Sequence, residues 1–371
     1  MLSPQDDLIG HQTSQPFTVS GNGHPLFTER YWYTAHPIDG TPLILDLGLG
    51  YYPNRGVMDL FAGMTVGRKQ INFRASRSLG SDPLRTTAGP LRIEVVEGGK
   101  RHRLVLGENA SGLSFDVTFD ASFPAAREKQ SVRERNGAVE EDMARFAQFG
   151  RYTGWIVADG KRYDVTPQLW WGQRDHSWGI RSEMKTDAAK PPMQEHSKFF
   201  WTWSMFQFED MAVSMFVKER EAGKPYYLSG VEFTRAANGT VHEREIVGFE
   251  HDFHWADDPL GQTMASADLR VQFAHGPDRM LHMEGLPTRF YLKGGLYGGF
   301  GGWNHGDHKG ELYLDHDVWD LDDAQTRRVA RTLSDHVVRV TSGGQVGSGI
   351  SEYGVAQGYA RYPAPQRFPA L

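Results

Sequence analysis

Residues 113–120 read Leu-Ser-Phe-Asp-Val-Thr-Phe-Asp, apolar at every odd position and polar at every even one. A period of two held over this run puts Leu113, Phe115, Val117 and Phe119 on one face and Ser114, Asp116, Thr118 and Asp120 on the other, as in a strand with one dry side. The same pattern continues outward in both directions. Leu91, Ile93 and Val95 alternate with Arg92 and Glu94, and Gly98-Gly99 turns the chain into Arg103-Leu104-Val105-Leu106, a hairpin. Trp155-Ile156-Val157 runs into Asp159-Gly160 and returns through Tyr163 and Val165, while Val231 to Arg235 runs into Asn238-Gly239 and returns through Val241. Both dipeptides favour a type I′ turn. In the run 139–149, Met143, Arg145, Ala147 and Phe149 alternate as a further strand. One segment, Asp322 to His336, reads as a helix: Asp322 can cap it, Gln325 follows three residues later, and Val329 and Leu333 recur at helical spacing.

The chain of 371 residues has room for two domains, and its 42 Gly, 21 Phe, 14 Tyr and 10 Trp suit twisted strands and tight turns around wide interiors. The Pro-rich, charged stretch 186–198 (TDAAKPPMQEHSK) breaks the strand pattern. The expected organisation is an N-terminal extension (1–24), a first β domain (25–185), this linker, and a second β domain (199–371). Each half holds roughly six to nine strands, enough for an antiparallel barrel or barrel-like sandwich. The fold class is therefore all-β, with one short C-terminal helix.

The chain contains no cysteine, so thiolate chemistry, disulfides and Cys-ligated metal are excluded. Residues 1–14 lack the basic-then-apolar order of a secretory signal, which points to the cytoplasm. No run approaches the roughly 18–20 apolar residues of a membrane span. A net charge of −6 with scattered Lys and Arg argues against nucleic acid. The glycine run 294–302 lacks the order of a dinucleotide loop, and no Walker lysine follows it; it fits a curved strand or a loop over a pocket mouth. No G-x-S-x-G occurs. No cofactor is expected.

His305, Asp307 and His308, followed by Asp315-His316-Asp317, are able metal ligands, but without metal-site spacing they read as a solvated turn and then a strand whose Leu312, Leu314, His316 and Val318 share a face; no metal is expected. His251 and His254 are three apart, on opposite faces of a strand, with a rim location as the default.

The densest chemistry lies in 170–181, Trp-Trp-Gly-Gln-Arg-Asp-His-Ser-Trp-Gly-Ile-Arg. On a strand, Arg174, His176 and Trp178 share one face and Asp175 and Ser177 the other. Asp175 is then badly placed to orient His176 from its own strand, and any carboxylate partner should come from elsewhere.

The run 174–181 (RDHSWGIR) resembles the D-H-x-W-G signature of the lipocalin-like family that contains the carotenoid 1,2-hydratases, the AttH-type bacterial proteins and the fungal lipocalin-like Diels–Alderases. Gln148-Phe149-Gly150-Arg151 and the Trp155 to Val165 hairpin precede it, and Trp201-x-Trp203 and Gln207-Phe208-Glu209 follow, in the order that family shows. The resemblance implies two lipocalin-like, calycin-type barrels, a hydrophobic pocket between or inside them, and chemistry on polyene or polyketide-like molecules. It puts the hydratases' functional His and Trp on His176 and Trp178.

Residue types then suggest a mechanism. Hydrating an alkene takes a proton donor, a shelter for the carbocation and a positioned water. His176 can supply the proton, and Trp178 with Trp170, Trp171 or Trp201 can shelter the cation through their π-faces, about 1–2 kcal/mol each when desolvated. Arg174 lowers the histidine's proton affinity unless a carboxylate such as Glu209 or Asp210 compensates. The expected catalytic set is His176, Trp178, Asp175 and Arg174; the expected substrate contacts are Trp170, Trp171, Trp201, Trp203 and Glu209. The expected function is hydration, dehydration or a related isomerisation or cyclisation of a hydrophobic isoprenoid or polyketide-like molecule. Three alternatives stand beside it: a non-catalytic carrier of a lipophilic ligand, a pericyclase-like pocket acting by shape, and a purely structural polar network at 174–181. A homodimer is compatible with the sequence.

Overall fold

The computed structural model describes residues 4–7, 9, 11–135, 137–181, 198–258, 263–330, 333–356 and 358–362. The segment read as the linker, 186–198, lies outside the described residues except for Lys198. The described chain is almost entirely antiparallel β-sheet.

One sheet has 14 strands. In chain order these are β1 (Phe27–Pro37), β2 (Leu43–Tyr52), β3 (Val57–Val66), β4 (Lys69–Ser78), β5 (Thr87–Ala88), β6 (Leu91–Glu97), β7 (Arg101–Leu106), β8 (Ser114–Ala121), β9 (Ala126–Arg127), β10 (Ser131–Arg135), β11 (Ala138–Ala158), β12 (Lys161–Val165) and β13 (Trp170–Ile180). Next come β14 (Phe200–Gln207), β15 (Met211–Glu221), β16 (Lys224–Arg235), β17 (Val241–Trp255), β18 (Met264–Phe273) and β19 (Arg279–Tyr291), then β20 (Leu312–Asp320), α1 (Ala324–Ala330), β21 (Ser334–Ser342) and β22 (Gln345–Val355). Strands β14 to β19 with β21 and β22 close an eight-stranded barrel. β20 leaves that barrel's run and pairs with β4, becoming the fourteenth strand of the first sheet. The first sheet's count therefore exceeds the six to nine expected, because the short strands β5, β9, β10 and β12 add to it and β20 joins from the other half.

The alternation read at 113–120 is β8, with Phe115, Val117 and Phe119 fully buried. The hairpins β6–β7, β11–β12 and β16–β17 pair as expected. Asp159 (φ 49°) and Gly160 (φ 71°) are both left-handed, as a type I′ turn requires. At 236–240 only Gly239 (φ 85°) is left-handed, and Gly239 N–H donates to the Ala236 carbonyl, so the Asn238-Gly239 connection is a longer loop instead of a type I′ turn. The run 139–149 is a strand, part of β11.

The helix is shorter than its pattern suggested. Asp323, not Asp322, caps it by accepting the Thr326 N–H at 2.6 Å, and the chain re-enters the barrel at Ser334, so Leu333 and His336 are not helical. Barrel pairing on both sides of β21 outweighs local helical spacing. The glycine run is a loop, opened by a 3₁₀ turn at Leu292–Gly295 and carrying Leu296, Gly298, Gly299, Gly301 and Gly302 at positive φ. Asp315 and Asp317 engage the buried Arg74 at 2.8 and 3.0 Å.

Three apolar cores result. One fills the curl of the first sheet around Tyr33, Phe115, Phe119 and Trp170; a second fills the barrel around Phe200, Phe206, Phe249 and Phe253. The third lies between them and joins Trp32, Phe61, Phe123 and Phe149 to Trp203, Phe233 and Phe290. Polar bonds reinforce this seam, among them His36 to Ser348 (2.9 Å), the Thr65 hydroxyl to the Arg289 carbonyl (2.9 Å) and the Tyr227 hydroxyl to the Lys129 carbonyl (2.6 Å). Phe290 stacks near Phe61 at 6.4 Å and lies against Gly63, where a Cβ would fall 2.4 Å from its ring. Phe290→Ala should therefore destabilise the protein by about 3–5 kcal/mol. Denaturant unfolding checks this, and a loss below about 1 kcal/mol would mean that the seam is not a tightly packed core.

Candidate active site

β13 is hydrogen-bonded to β1 on one side and β11 on the other, with His176 opposite both Tyr31 and Phe146. Its alternate side chains enter different surroundings. Asp175 and Ser177, with Arg30 and Trp32 of β1 and Met143 and Arg145 of β11, line a cavity of about 820 Å³. The outer face of the barrel supplies the opposite wall: Trp201 and Trp203 from β14, Phe216 and Lys218 from β15, Tyr227 from β16 and Glu352 from β22. Tyr297 and His305, from the connection between β19 and β20, also line it. The cavity thus lies between the two sheets, inside neither core, and is large enough for a drug-sized molecule.

Arg145 is the hub of its polar groups. Its Nε is 3.3 Å from Asp175 Oδ2 and its Nη1 is 3.6 Å from Glu128 Oε2, while the guanidinium lies 5.5 Å from the Trp203 ring and 5.6 Å from that of Phe216. Burial works against its charge, but Glu128, Asp175 and Glu352 outweigh it. Trp203 Nε1 donates to Glu128 Oε1 at 2.8 Å, and Trp203 meets Trp32 edge-on at 5.1 Å across the seam.

Behind Glu352 runs a chain of buried acids. Trp32 Nε1 donates to Asp335 Oδ2 at 3.2 Å; Asp335 neighbours Asp46 on one side and Glu352 on the other. Burial, then the charge of Asp335, push Glu352 well above the usual carboxyl range. Burial, then Asp46, do the same to Asp335, and burial raises Asp46 to about 8. Three carboxyls this close and this dry cannot all ionise, so protons are retained at neutral pH.

The remaining residues singled out in the sequence lie elsewhere. Arg174, His176 and Trp178 face away from the cavity, toward the interior and rim of the first sheet. Arg174 is fully buried and donates to Gln148 Oε1 at 2.9 Å. His176 Nε2 is 2.6 Å from Glu29 Oε1, so its carboxylate partner does come from another strand, and its ring is caged by Tyr31, Phe146 and Trp178 at 4.5, 5.3 and 5.3 Å. Trp178 is 39% exposed. Trp170 packs in the first core. Trp171 lies under Arg151, which pairs with the exposed Glu209 at 2.9 Å; Asp210 accepts from Gln345. Of the residues expected at a site, Asp175, Trp201 and Trp203 are brought together in the cavity.

Two expectations for histidines are overturned. His305 is buried rather than solvated, because the glycine loop folds back over Arg30 and Asp59. His251 is buried inside the barrel, bonded to Glu219 and Tyr362. The sequence reading did not find Arg145, Glu128, Glu352, Asp335 or Asp46 as site residues. Only Asp46 left a signal, a lone charge within the apolar run 43–47 (Leu-Ile-Leu-Asp-Leu).

A curled sheet and a closed barrel flanking a shared cavity define a two-part, lipocalin-like β protein. The chain belongs to the family of unknown function DUF8625, whose family model matches residues 2–361. Its fold is similar to that of an AttH protein of Nitrosomonas europaea, with 12% identity over 91% of this chain and 94% of that one and a TM-score of 0.52. Weaker likenesses are kievitone hydratase from Nectria haematococca (12% identity, 89% of each chain, TM-score 0.42) and CghA (13%, 90% of this chain and 89% of that one, 0.43). No curated protein matches the sequence. Among the described residues no helix is long and apolar enough to cross a membrane.

The raised acids make stability depend on pH. The folded chain keeps the Asp46 proton up to about pH 8, whereas an unfolded carboxyl loses it near 3.8. The contribution is full below the lower value and is lost as pH rises through the upper one. Asp46→Asn should therefore be near neutral only below about pH 4 and gain on wild type progressively as pH rises from there, being stabilising by at least ~1 kcal/mol, or roughly 2–4 °C in Tm, at about pH 8. Thermal melts of both proteins across that range check it; parallel pH profiles would show that Asp46 carries no such shift.

Proposed function

We propose that the protein is a cofactor-independent enzyme that adds or removes water across an alkene, or carries out a related isomerisation or cyclisation, on a hydrophobic isoprenoid or polyketide-like molecule held in the cavity between its two sheets. The observation that carries this reading is the placing of Glu352 on the wall of an aromatic cavity, where burial and then the Asp335 charge push its carboxyl well above the usual range, while Asp175, ion-paired to Arg145, lines the same cavity. Two carboxyls in contrasting environments suit an acid and a base.

In hydration, the Glu352 hydroxyl gives its proton to one alkene carbon. The π-electron pair forms the new C–H bond and leaves a cation on the neighbouring carbon. Trp32, Trp201, Trp203 and Phe216 offer π-faces to that cation. Water forms the C–O bond and passes its proton to Asp175, and return of that proton to Glu352 through solvent restores the site. Dehydration is the reverse, and loss of a proton from the cation instead gives isomerisation. Burial and then Asp335 hold Glu352 well above the usual carboxyl range, and Trp32 positions Asp335.

A second reading rests on the His176–Glu29 contact of 2.6 Å within its aromatic cage, and it moves the acid–base step to the rim of the first sheet. One experiment separates the two. Wild type, Glu352→Gln, Asp175→Asn and His176→Ala are incubated with prenyl, polyene and aromatic-polyketide lipids in oxygen-18 water and analysed by mass spectrometry. The expected result is label gained or water lost in wild type, at least ~100-fold slower turnover in Glu352→Gln and Asp175→Asn, and less than ~10-fold change in His176→Ala. Loss confined to His176→Ala would support the rim. Absence of turnover with every lipid, while lipids co-purify with all four proteins, would favour a carrier.

A further inference from the structure

Arg145 lines the cavity with its hydrogen-bond donors unused. A guanidinium carries a fork of N–H groups, and no hydrogen bond joins those of Arg145 to any described residue. Its Nε is buried and 3.3 Å from Asp175 Oδ2, and its Nη1 is 3.6 Å from Glu128 Oε2, but neither contact has hydrogen-bond geometry. Other buried arginines spend their donors inside the protein: Arg174 bonds Gln148 through Nε and Nη2, and Arg74 bonds Asp315 and the Gly294 carbonyl. Arg145 is held by its surroundings instead. Its residue sits in β11 opposite Ser177 of β13, its carbonyl accepts the Glu128 N–H at 2.9 Å, and the rings of Trp203 and Phe216 flank the guanidinium at 5.5 and 5.6 Å. The charge is already balanced, because Glu128, Asp175 and Glu352 surround it. A further anion would be repelled by those carboxyls, whereas an uncharged oxygen would not. What the guanidinium lacks is an acceptor.

We propose that Arg145 receives a carbonyl oxygen of the ligand, so that the molecule held in the cavity is an uncharged ketone whose apolar body lies along Trp32, Trp201, Trp203 and Phe216. This rests on the cavity being the ligand site, as argued above, and narrows that reading: a polyketide-like ketone offers such an oxygen and an isoprenoid hydrocarbon does not. A carbonyl oxygen has two lone pairs and no proton, so it answers donors alone. A hydroxyl matches less well, because its own proton needs an acceptor and the nearest ones, Asp175 and Glu128, already face the guanidinium. The bond to Arg145 would also fix how the ligand lies relative to Glu352 in the same cavity.

The test compares molecules on one skeleton, 1,3-diphenylpropan-1-one and 1,3-diphenylpropane, which differ only in the carbonyl and carry neither alkene nor hydroxyl for the proposed reaction to consume. Each displaces N-phenyl-1-naphthylamine, a neutral fluorophore bound in the cavity. In wild type the ketone should displace it at about tenfold lower concentration than the hydrocarbon, and the infrared carbonyl stretch of the bound, carbon-13-labelled ketone should lie below its position in alkane solvent. Arg145→Met should bring the two within about threefold and return the stretch to its alkane position, and Arg145→Lys should restore part of the preference. If Arg145→Met does not fold, Arg145→Lys decides, because a bond to residue 145 must change the stretch when ammonium replaces guanidinium. Glu352→Gln should keep the ketone preference, and on that variant, where dehydration is blocked, 1,3-diphenylpropan-1-ol should bind more weakly than the ketone. Equal potency of ketone and hydrocarbon in wild type, a stretch unchanged by substitution at Arg145, an alcohol at least as potent as the ketone, or failure of the fluorophore to bind would overturn the proposal. A ketone preference retained while Glu352→Gln turns over alkenes normally removes only the catalytic reading, whereas oxygen-18 incorporation by wild type without any ketone preference removes only this one.

Discussion

β13 has a packed layer against each of its faces, and that constraint organises the molecule. A strand pleats its side chains alternately up and down, so a strand covered on both sides feeds two dry compartments at once. Here the alternation sends Arg174 and His176 toward the first core and Asp175 and Ser177 toward the second barrel. Because β1 and β11 flank β13 in register, they follow the same division: Glu29 and Tyr31 go with His176, and Arg30, Trp32 and Arg145 go with Asp175. A slip of one residue in this register would exchange the two sets.

The seam between the sheets is held by apolar contact and also carries buried polar groups. Trp32 and Trp203 touch edge-on across it, and each also donates its ring N–H to an acid, Asp335 and Glu128 respectively. The same two residues thus pack the seam and position its carboxyls. The acid chain Asp46–Asp335–Glu352 joins β2 to β21 and β22, so it forms only when both sheets are in place. Burial opposes ionisation of Asp46, and the neighbouring Asp335 carboxyl and Trp32 ring N–H offset part of this. Sharing a proton between Asp335 and Asp46 is how burial turns these acids into a proton store.

The barrel contains a buried polar network of another kind. Glu219 contacts His251 at 3.2 Å and accepts from the Tyr359 hydroxyl at 2.5 Å and the Gly223 N–H at 2.8 Å, while His251 Nδ1 meets the Tyr362 hydroxyl at 2.7 Å. Each polar side-chain atom of Glu219 and His251 has its partner, and the aromatic rings of Phe200, Tyr359 and Tyr362 surround them. Such a satisfied network fastens residues 359–362 to the barrel. The cavity groups differ because several of them face open space rather than one another.

The sequence by itself determined many of the strands and their faces. Period-two alternation at 113–119, the Asp159-Gly160 turn and the opposed faces of Asp175 and His176 are local properties of the pleat, and all are found in the structure. It also pointed to Trp201, Trp203 and Asp175, which the cavity gathers. Tertiary structure alone decided which face of β13 opens onto that cavity, because alternation separates two faces without saying what covers either. It alone moved β20 into the first sheet and ended α1 at Ala330, since pairing with distant strands outweighed local preference. The acid chain was illegible for the same reason: Asp46, Asp335 and Glu352 lie on separate strands, up to 306 residues apart in numbering, and their proton affinities come from mutual burial that no local pattern encodes.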